Sequence, residues 1–511
     1  MKRALISVSN KKGLVEFAKG LIENNYEIIS TGGTAKYLEE NNIKTTAIEN
    51  VTGFKEIMDG RVKTLHPKIH GGLLGLRDKE SHLEQMRENE IEKIDMVVVN
   101  LYPFEEVLNR GGVPHGELIE NIDIGGPSMV RSGAKNYKFV TVVMDPENYG
   151  EVLEEIKIYG DTTLETREKL AGKVFLETAY YDSLIGNYLI EKSKGGREKL
   201  VLGYKKVQDL RYGENPHQGG SFYKNSSVGY SLANGKQLNG KELSYNNIQD
   251  GNIVLEILKE FAQEEKIACV GVKHMNPCAI ALGENTREAW ERTYEGDKIS
   301  IFGGIVGTTG IVDEETAKKL VEIFLEIVIA KGYTEKALEI LKSKKNLRVL
   351  EIDMDEVVKN KERIVSVLDG VLVQDLDITN ETIKDYKLVT ETEATEEDMK
   401  QLEFAWKAVK HIKSNGIVIC KDYRTIGIGA GQMNRVGAAK LALDQGEELC
   451  KGAYMASDAF FPMDDTVELA AQYGIKSIIQ PGGSIKDQMS IDKCNENRIS
   501  MVFTGIRHFK H

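Results

Sequence analysis

Cysteine is scarce in this chain and long apolar runs are missing, and each shortage excludes a class of protein. The five cysteines among 511 residues, Cys269, Cys278, Cys420, Cys450 and Cys494, lie far apart with no Cys-x-x-Cys. That spacing argues against a disulfide framework and against a zinc site, and it fits free thiols in a reducing compartment. No apolar stretch approaches the ~20 residues that span a bilayer, so no membrane association is expected. Met1 to Val8 runs into a short strand without the apolar core of a signal peptide, and the expected location is cytoplasmic. Positive charge is short too: 67 Lys and Arg stand against 79 Asp and Glu, a formal net charge of −12. Such a surface repels nucleic acid, and any phosphate must be met by individually placed cations. The N-terminal part also lacks Gly-x-x-x-x-Gly-Lys-Ser/Thr and Gly-x-Gly-x-x-Gly, two loops that cradle nucleotides.

What is present describes an ordinary globular protein, 41% hydrophobic and 29% charged, long enough for two to four domains. Up to about residue 145, apolar strands alternate with amphipathic helices: Arg3–Val8, Leu14–Glu23, Tyr26–Ser30, Ala35–Glu40, Met96–Asn100 and Phe139–Met144. This wording predicts an α/β parallel sheet with helices on both faces. Helical sequence follows to Ile190, and the charged stretch Glu191 to Lys199 is the linker candidate, with a boundary near residue 197. Beyond it, Leu210 to Gln218 is polar and turn-rich, and the segments around 250–261 and 314–339 read as helices. The order of strand, lysine, polar turn and second strand in Val270 to Ile280 returns in Ile417 to Gly427. That echo is consistent with two related α/β subunits, residues 198–375 and 376–511, and equally with chance similarity.

Chemistry concentrates at expected strand ends. The apolar run Ile267–Val272 delivers Lys273 and His274, a cation and a proton carrier, to the turn Met275-Asn276-Pro277. In the N-terminal part, Ser7 to Gly13 and Ser30-Thr31-Gly32-Gly33-Thr34 each run into a helix. Hydroxyls, glycines and a helix start make an anion cradle, although the same residues also form plain caps and tight turns. Gly60 to Pro67 adds Arg61, Lys63, Thr64 and His66, with His70 close behind; Asn100 to Phe104 closes a strand, and Asn121 to Pro127 leads to Arg131 and Lys135. Asp123 opposite Lys63, Lys135 and Tyr102 would form a proton-transfer set; its plainer reading is a turn aspartate.

These motifs, together with Arg211–Gln218, Ser414-Asn415, Gly429–Gln432, Ser457–Pro462 and the basic tail Arg507–His511, stand in one order along the chain. In that order they resemble the bifunctional phosphoribosylaminoimidazolecarboxamide (AICAR) formyltransferase and inosine-monophosphate (IMP) cyclohydrolase family of late purine biosynthesis. The resemblance implies a methylglyoxal-synthase-like domain over 1–197 and a transformylase over 198–511 built of two cytidine-deaminase-like subunits. It implies a formyl group moved from 10-formyltetrahydrofolate to the 5-amino group of AICAR, then closure of formyl-AICAR to IMP with loss of water. It also implies a homodimer with shared transformylase sites.

For formyl transfer, His274 suits the proton acceptor, since a neutral imidazole near its ~6.5 reference value takes a proton at neutral pH. Lys273 suits oxyanion or leaving-group stabilisation. By resemblance Asn415 positions the formyl group and Arg211, Tyr212 and Arg435 hold the ribotide. Phe302, Phe460 and Phe461 border substrate and folate, Gly303 and Asp458 contribute contacts, and His511 caps the pocket. For cyclisation, Lys63 and Lys135 stabilise the oxyanion while Asp123 and Tyr102 shuttle protons. Ser7, Ser9, Lys11, Ser30, Thr31, Gly32, Gly33 and Thr34 hold the ribotide, with Arg61, Thr64, Asn100, Gly125 and Gly126. No metal is implied: His274-Met275-Asn276 lacks the glutamate, and Pro277-Cys278 the second cysteine, of a zinc deaminase. Two positions depart from the family's usual wording, Thr31 and Val306–Thr309. A phosphate-sensing regulatory protein and a zinc hydrolase are the competing readings; the first leaves the proton carriers without purpose, and the second lacks its ligands.

Overall fold

The structure, a computed structural model, describes residues 1–379 and 382–511. It divides into two compact units, Met1–Lys205 and Lys206–His511.

In the first unit, β1 (Lys2–Val8), β2 (Tyr26–Ser30), β3 (Thr46–Ala47), β4 (Met96–Asn100) and β5 (Thr141–Val143) form one sheet in the order β3-β2-β1-β4-β5. Every pairing is parallel. Successive residues of β1 serve opposite faces: Ala4, Ile6 and Val8 pack with Leu14, Phe17 and Leu21, whereas Leu5 packs with Ile69, Leu73 and Met129. Because both faces are covered, β4 reads as an unbroken apolar run rather than an alternation. The winding direction reverses between β1 and β4, and such a switch point opens a crevice at the carboxyl ends of the strands.

The second unit carries a sheet of twelve strands: β8 (Lys236–Asn239), β9 (Ile267–Lys273), β10 (Asn276–Gly283), β11 (Ile305–Val312), β12 (Ile327–Tyr333) and β13 (Arg348–Glu351), then β16 (Lys387–Leu388), β17 (Ile417–Lys421), β18 (Arg424–Gly429), β19 (Tyr454–Ser457), β20 (Ser477–Gln480) and β21 (Ser500–Phe503). Two small ribbons, β6 (Lys205–Leu210) with β7 (Gly220–Lys224) and β14 (Glu362–Val367) with β15 (Gly370–Asp375), stand apart from it. The order β10-β9-β11-β12-β13-β8 is matched by β18-β17-β19-β20-β21-β16. In each half an antiparallel hairpin is followed by parallel pairings. The halves meet where β10 runs antiparallel to β18 with Ala281 opposite Arg424. The two hairpins are the two segments whose sequences echo one another.

Three sequence expectations change. The stretch 314–339 is not one helix: Glu314–Leu320 and Glu335–Lys342 are helical, and β12 lies between them. A buried parallel strand has no alternation to separate it from a helix interior. The turn after Lys273 consists of His274 and Met275, both with left-handed φ (54° and 62°), and Pro277 sits inside β10 at a register shift. An irregularity of that kind is where a strand tolerates proline. Val306–Thr309 lies within β11, where Thr309 Oγ1 accepts from the Ala268 amide at 3.0 Å, so that departure belongs to the sheet interior.

Candidate active sites

At the carboxyl edge of the first sheet, side chains tie the loops together. Asn100 Oδ1 accepts from the amides of Ser9 and Asn10 at 2.7 and 2.8 Å and from Ser9 Oγ at 2.9 Å. Ser7 Oγ and Thr31 Oγ1 lie 2.9 Å apart, so threonine keeps the hydroxyl that serine would supply. Other cradle candidates are committed to the fold. Ser30 Oγ donates to the Ile6 carbonyl, Thr34 Oγ1 exchanges bonds with both backbone groups of Val8, and Lys11 folds back onto Val8 and Thr34. Burial lowers the Lys11 pKa.

Lys63 is the cation that points into this edge. Its Nζ lies 3.7 Å from Glu56 and 3.8 Å from where a Cβ on Gly32 would stand, at the start of the helix Gly32–Glu40. The Asp123 carboxylate accepts from the Gly126 amide at 2.8 Å. Burial pushes its pKa up, against the opposing pull of the Gly126, Tyr102 and Gly125 backbone groups and of the Lys63 charge. A Cβ on Gly125 would stand 2.8 Å from Thr64 Oγ1, so only glycine lets the start of the helix Gly125–Lys135 approach that hydroxyl. Tyr181, a residue the sequence did not single out, accepts from the Asp123 amide at 2.8 Å and donates to the Asn121 carbonyl at 3.1 Å. It lines a cavity of about 490 Å³ with Ser9, Asn100 and Tyr102, a residue 45% exposed.

Lys63, Thr64, Asp123, Gly125 and Gly32 therefore share one edge, and Lys135 does not join them. It is the last residue of a helix whose first turn adjoins Asp123, and ten residues of helix rise span about 15 Å. The chain then enters β5 at its amino end, which places Lys135 toward the opposite edge of the sheet. Arg61 is exposed and paired with Glu120.

In the second unit, Lys273 Nζ donates to the Phe302 carbonyl at 2.8 Å, ahead of Gly303 with its left-handed φ of 72°. The Asp250 carboxylate accepts from both turn amides, His274 at 3.2 Å and Met275 at 2.6 Å. The β10–β18 register brings the Asn276 end of β10 beside the Gly429 end of β18. There a cavity of about 500 Å³ is lined by Lys273, His274, Asn276, Ile428 and Ala430. Across that edge Asn415 is fixed to the Gln432 carbonyl by its amide at 3.1 Å and its Nδ2 at 2.7 Å. Residues 508–511 run along the same loop: the Ser414 amide donates to the Lys510 carbonyl at 2.9 Å, and the His508 amide to the Asp458 carbonyl at 3.0 Å. Arg363 holds the His511 carbonyl at 3.0 Å, and Lys510 pairs with Glu256 at 2.7 Å.

Several expected contacts are placed elsewhere. Arg435, 5% exposed, is ion-paired with the fully buried Asp458, which also bonds Ser414, and it donates to the Gly416 carbonyl at 3.1 Å. Both residues brace the Asn415 loop. Phe461 is 0% exposed inside an apolar cluster with Ile417 and Met455, whereas Phe460 and Phe302 are exposed. Arg211 and Tyr212 lie in the segment that joins β6 to β7, the guanidinium 5.8 Å from the ring. Among the described residues no cluster of three His, Cys, Asp or Glu could hold a metal ion, and no helix is long and apolar enough to cross a membrane.

A parallel α/β unit with a lysine–aspartate crevice, followed by a duplicated mixed-sheet unit with a lysine–histidine turn, defines a two-site α/β enzyme. The MGS-like domain model matches residues 13–128, and the AICARFT/IMPCHase bienzyme model matches residues 133–445. The bifunctional purine biosynthesis protein PurH of Bacillus cytotoxicus (strain DSM 22905 / CIP 110041 / 391-98 / NVH 391-98) is 55% identical over 515 residues, and that of Lysinibacillus sphaericus (strain C3-41) 56% over 511. Each alignment covers 100% of both chains. The crystal structure of ForH overlaps 39% of this chain and 100% of its own at 31% identity with a TM-score of 0.35, too little to bear on the fold. The chain belongs to the AICARFT/IMPCHase bienzyme family. It is a bifunctional enzyme of purine biosynthesis, an AICAR formyltransferase and an IMP cyclohydrolase.

Proposed function

We propose that the second unit transfers the formyl group from 10-formyltetrahydrofolate to AICAR and that the first unit closes the product to IMP. The observation that carries this division is His274, exposed on a two-residue turn at a cavity also lined by Lys273, Ile428 and Ala430. The 5-amino nitrogen attacks the formyl carbon and forms the new C–N bond while its proton passes to His274. The tetrahedral oxyanion collapses as the bond to the folate nitrogen breaks and that nitrogen takes up the proton from His274, with Lys273 or the Asn415 amide stabilising the charge. Phe302, Phe460 and Gly303 border the reactants.

In the first unit the carboxamide nitrogen attacks the formyl carbon, and water leaves. Lys63 stabilises the oxyanion. Asp123 exchanges protons, a task suited to a carboxyl pushed up by burial. Tyr102 supplies a phenol beside it. The loops from Ser7 and Thr31 and the helix starts at Gly32 and Gly125 receive the ribotide phosphate.

A homodimer, acting in the cytoplasm, completes the proposal. The β14–β15 ribbon exposes Val365, Val367 and Leu372 on one face and Val371 and Val373 on the other, with Leu368 in the turn, apolar surface suited to a second copy of the chain. Sedimentation of Leu372→Lys with Val365→Lys is expected to shift the protein toward monomer; an unchanged dimer removes the ribbon from the interface.

The two assignments are tested by following AICAR and 10-formyltetrahydrofolate by absorbance and product analysis. His274→Ala is expected to keep only a small residual rate of formyl transfer and to accumulate no intermediate, and Lys63→Ala to accumulate formyl-AICAR. IMP made at the normal rate by either variant sinks that residue's role.

A further inference from the structure

The two hairpins of the second unit have the same turn but are gripped differently. In each, the lysine that ends the first strand donates to a carbonyl at 2.8 Å: Lys273 to Phe302 and Lys421 to Lys451. Each acceptor is followed by a glycine of left-handed φ, Gly303 at 72° and Gly452 at 73°. Each turn sets two consecutive non-glycine residues at left-handed φ, His274 (54°) and Met275 (62°) in one, Asp422 (52°) and Tyr423 (55°) in the other. The lysine bond is thus a property of the repeated fold, present whether or not the turn carries an imidazole.

A side chain on the sixth residue of the covering helix reaches each turn: Asp250 in Tyr245–Glu260 and Gln401 in Glu396–Val409. Gln401 offers one acceptor oxygen, which takes the Tyr423 amide at 3.0 Å, while its Nε2 donates to Glu397 at 2.9 Å. Asp250 offers two oxygens and takes both amides, His274 at 3.2 Å and Met275 at 2.6 Å. A two-residue turn with both φ values positive is disfavoured for side chains other than glycine or asparagine. Charge-assisted bonds to both amides hold it in that form.

We propose that Asp250 is a positioning residue for formyl transfer: by gripping both amides of the turn it fixes the direction in which the His274 imidazole projects. The inference rests on the reading of His274 as proton acceptor. Asp250 touches no reacting atom and acts only through the turn.

The test uses the full chain with Asp250→Asn, His274→Ala and the double variant, measuring kcat and KM for formyl transfer and, on formyl-AICAR, for cyclisation. Asparagine keeps the shape and one acceptor but loses the charge and the second acceptor. Formyl-transfer kcat is expected to fall about tenfold to a hundredfold, the worth of one charged hydrogen bond, with KM for AICAR within about twofold. Cyclisation, in the other unit, is expected to be unchanged. On the His274→Ala background Asp250→Asn is expected to have no further effect on the residual rate, because its route runs through the imidazole. Wild-type kcat in Asp250→Asn, or the same fold loss with and without His274, overturns the inference. Normal formyl transfer by His274→Ala overturns the underlying reading instead. If Asp250→Asn fails to fold, Asp250→Gln decides by the same criteria, since glutamine is the residue that already supports this turn in the other hairpin.

Discussion

Asp123 shows how one residue answers two demands. Burial raises its pKa although three backbone groups and the Lys63 charge favour the anion. A carboxyl raised in the folded state stabilises the fold fully below its unfolded value of about 4, and that contribution is lost as pH rises through the raised folded value. Asp123→Asn is therefore expected to be at least as stable as the parent near neutral pH, with the difference vanishing toward about pH 4, while cyclisation falls by about 10²–10⁴. Urea unfolding at the two pH values checks the sign; a variant weaker only at neutral pH contradicts it. At this scale the sequence was informative where residue chemistry is unusual, as at Lys63, Asp123 and the Lys273–His274 pair. It is less informative where a polar residue also bonds within the fold. Arg435 and Asp458 form an ion pair in the interior, and Ser30 and Thr34 bond their own sheet. Nothing in a single sequence separates a buried arginine from one that meets phosphate.

At the scale of elements, the helix Arg435–Gly446 lies almost in contact with β18. A Cβ on Gly429 would fall 1.9 Å from the Ala438 carbonyl oxygen, and one on Gly427 1.9 Å from that of Ala442. Gly429→Ala is expected to force the helix outward, lowering stability of the second unit by about 1–3 kcal/mol and disturbing the Arg435–Asp458 brace under Asn415. Formyl transfer should fall while cyclisation persists; calorimetry with both assays checks this, and unchanged formyl transfer contradicts it. The parallel sheet of the first unit was legible from its apolar runs. β12 was not, because a fully buried strand has no alternation. The sequence places the hairpin turn at Met275–Pro277 rather than His274–Met275 because His274 and Met275 replace the usual asparagine and glycine, and the residue that holds them, Asp250, is 24 positions from His274 along the chain.

At the scale of the molecule, one chain carries two consecutive steps of one transformation, and the duplicated topology of the second unit sets a single imidazole-bearing turn against a counterpart with Asp422 in its place. The order of motifs along the chain implies the family, whereas the pairing of the two hairpins across β10 and β18 is visible only in three dimensions. The central claim is that the two reactions belong to separate residue sets linked by formyl-AICAR, which the second unit makes and the first unit uses. Mixing the Lys63→Ala and His274→Ala proteins with AICAR and 10-formyltetrahydrofolate tests it most directly. Lys63→Ala alone is expected to build up formyl-AICAR, and adding His274→Ala to convert that pool to IMP. IMP from Lys63→Ala alone at the parental rate, or no IMP from the mixture, would contradict the account.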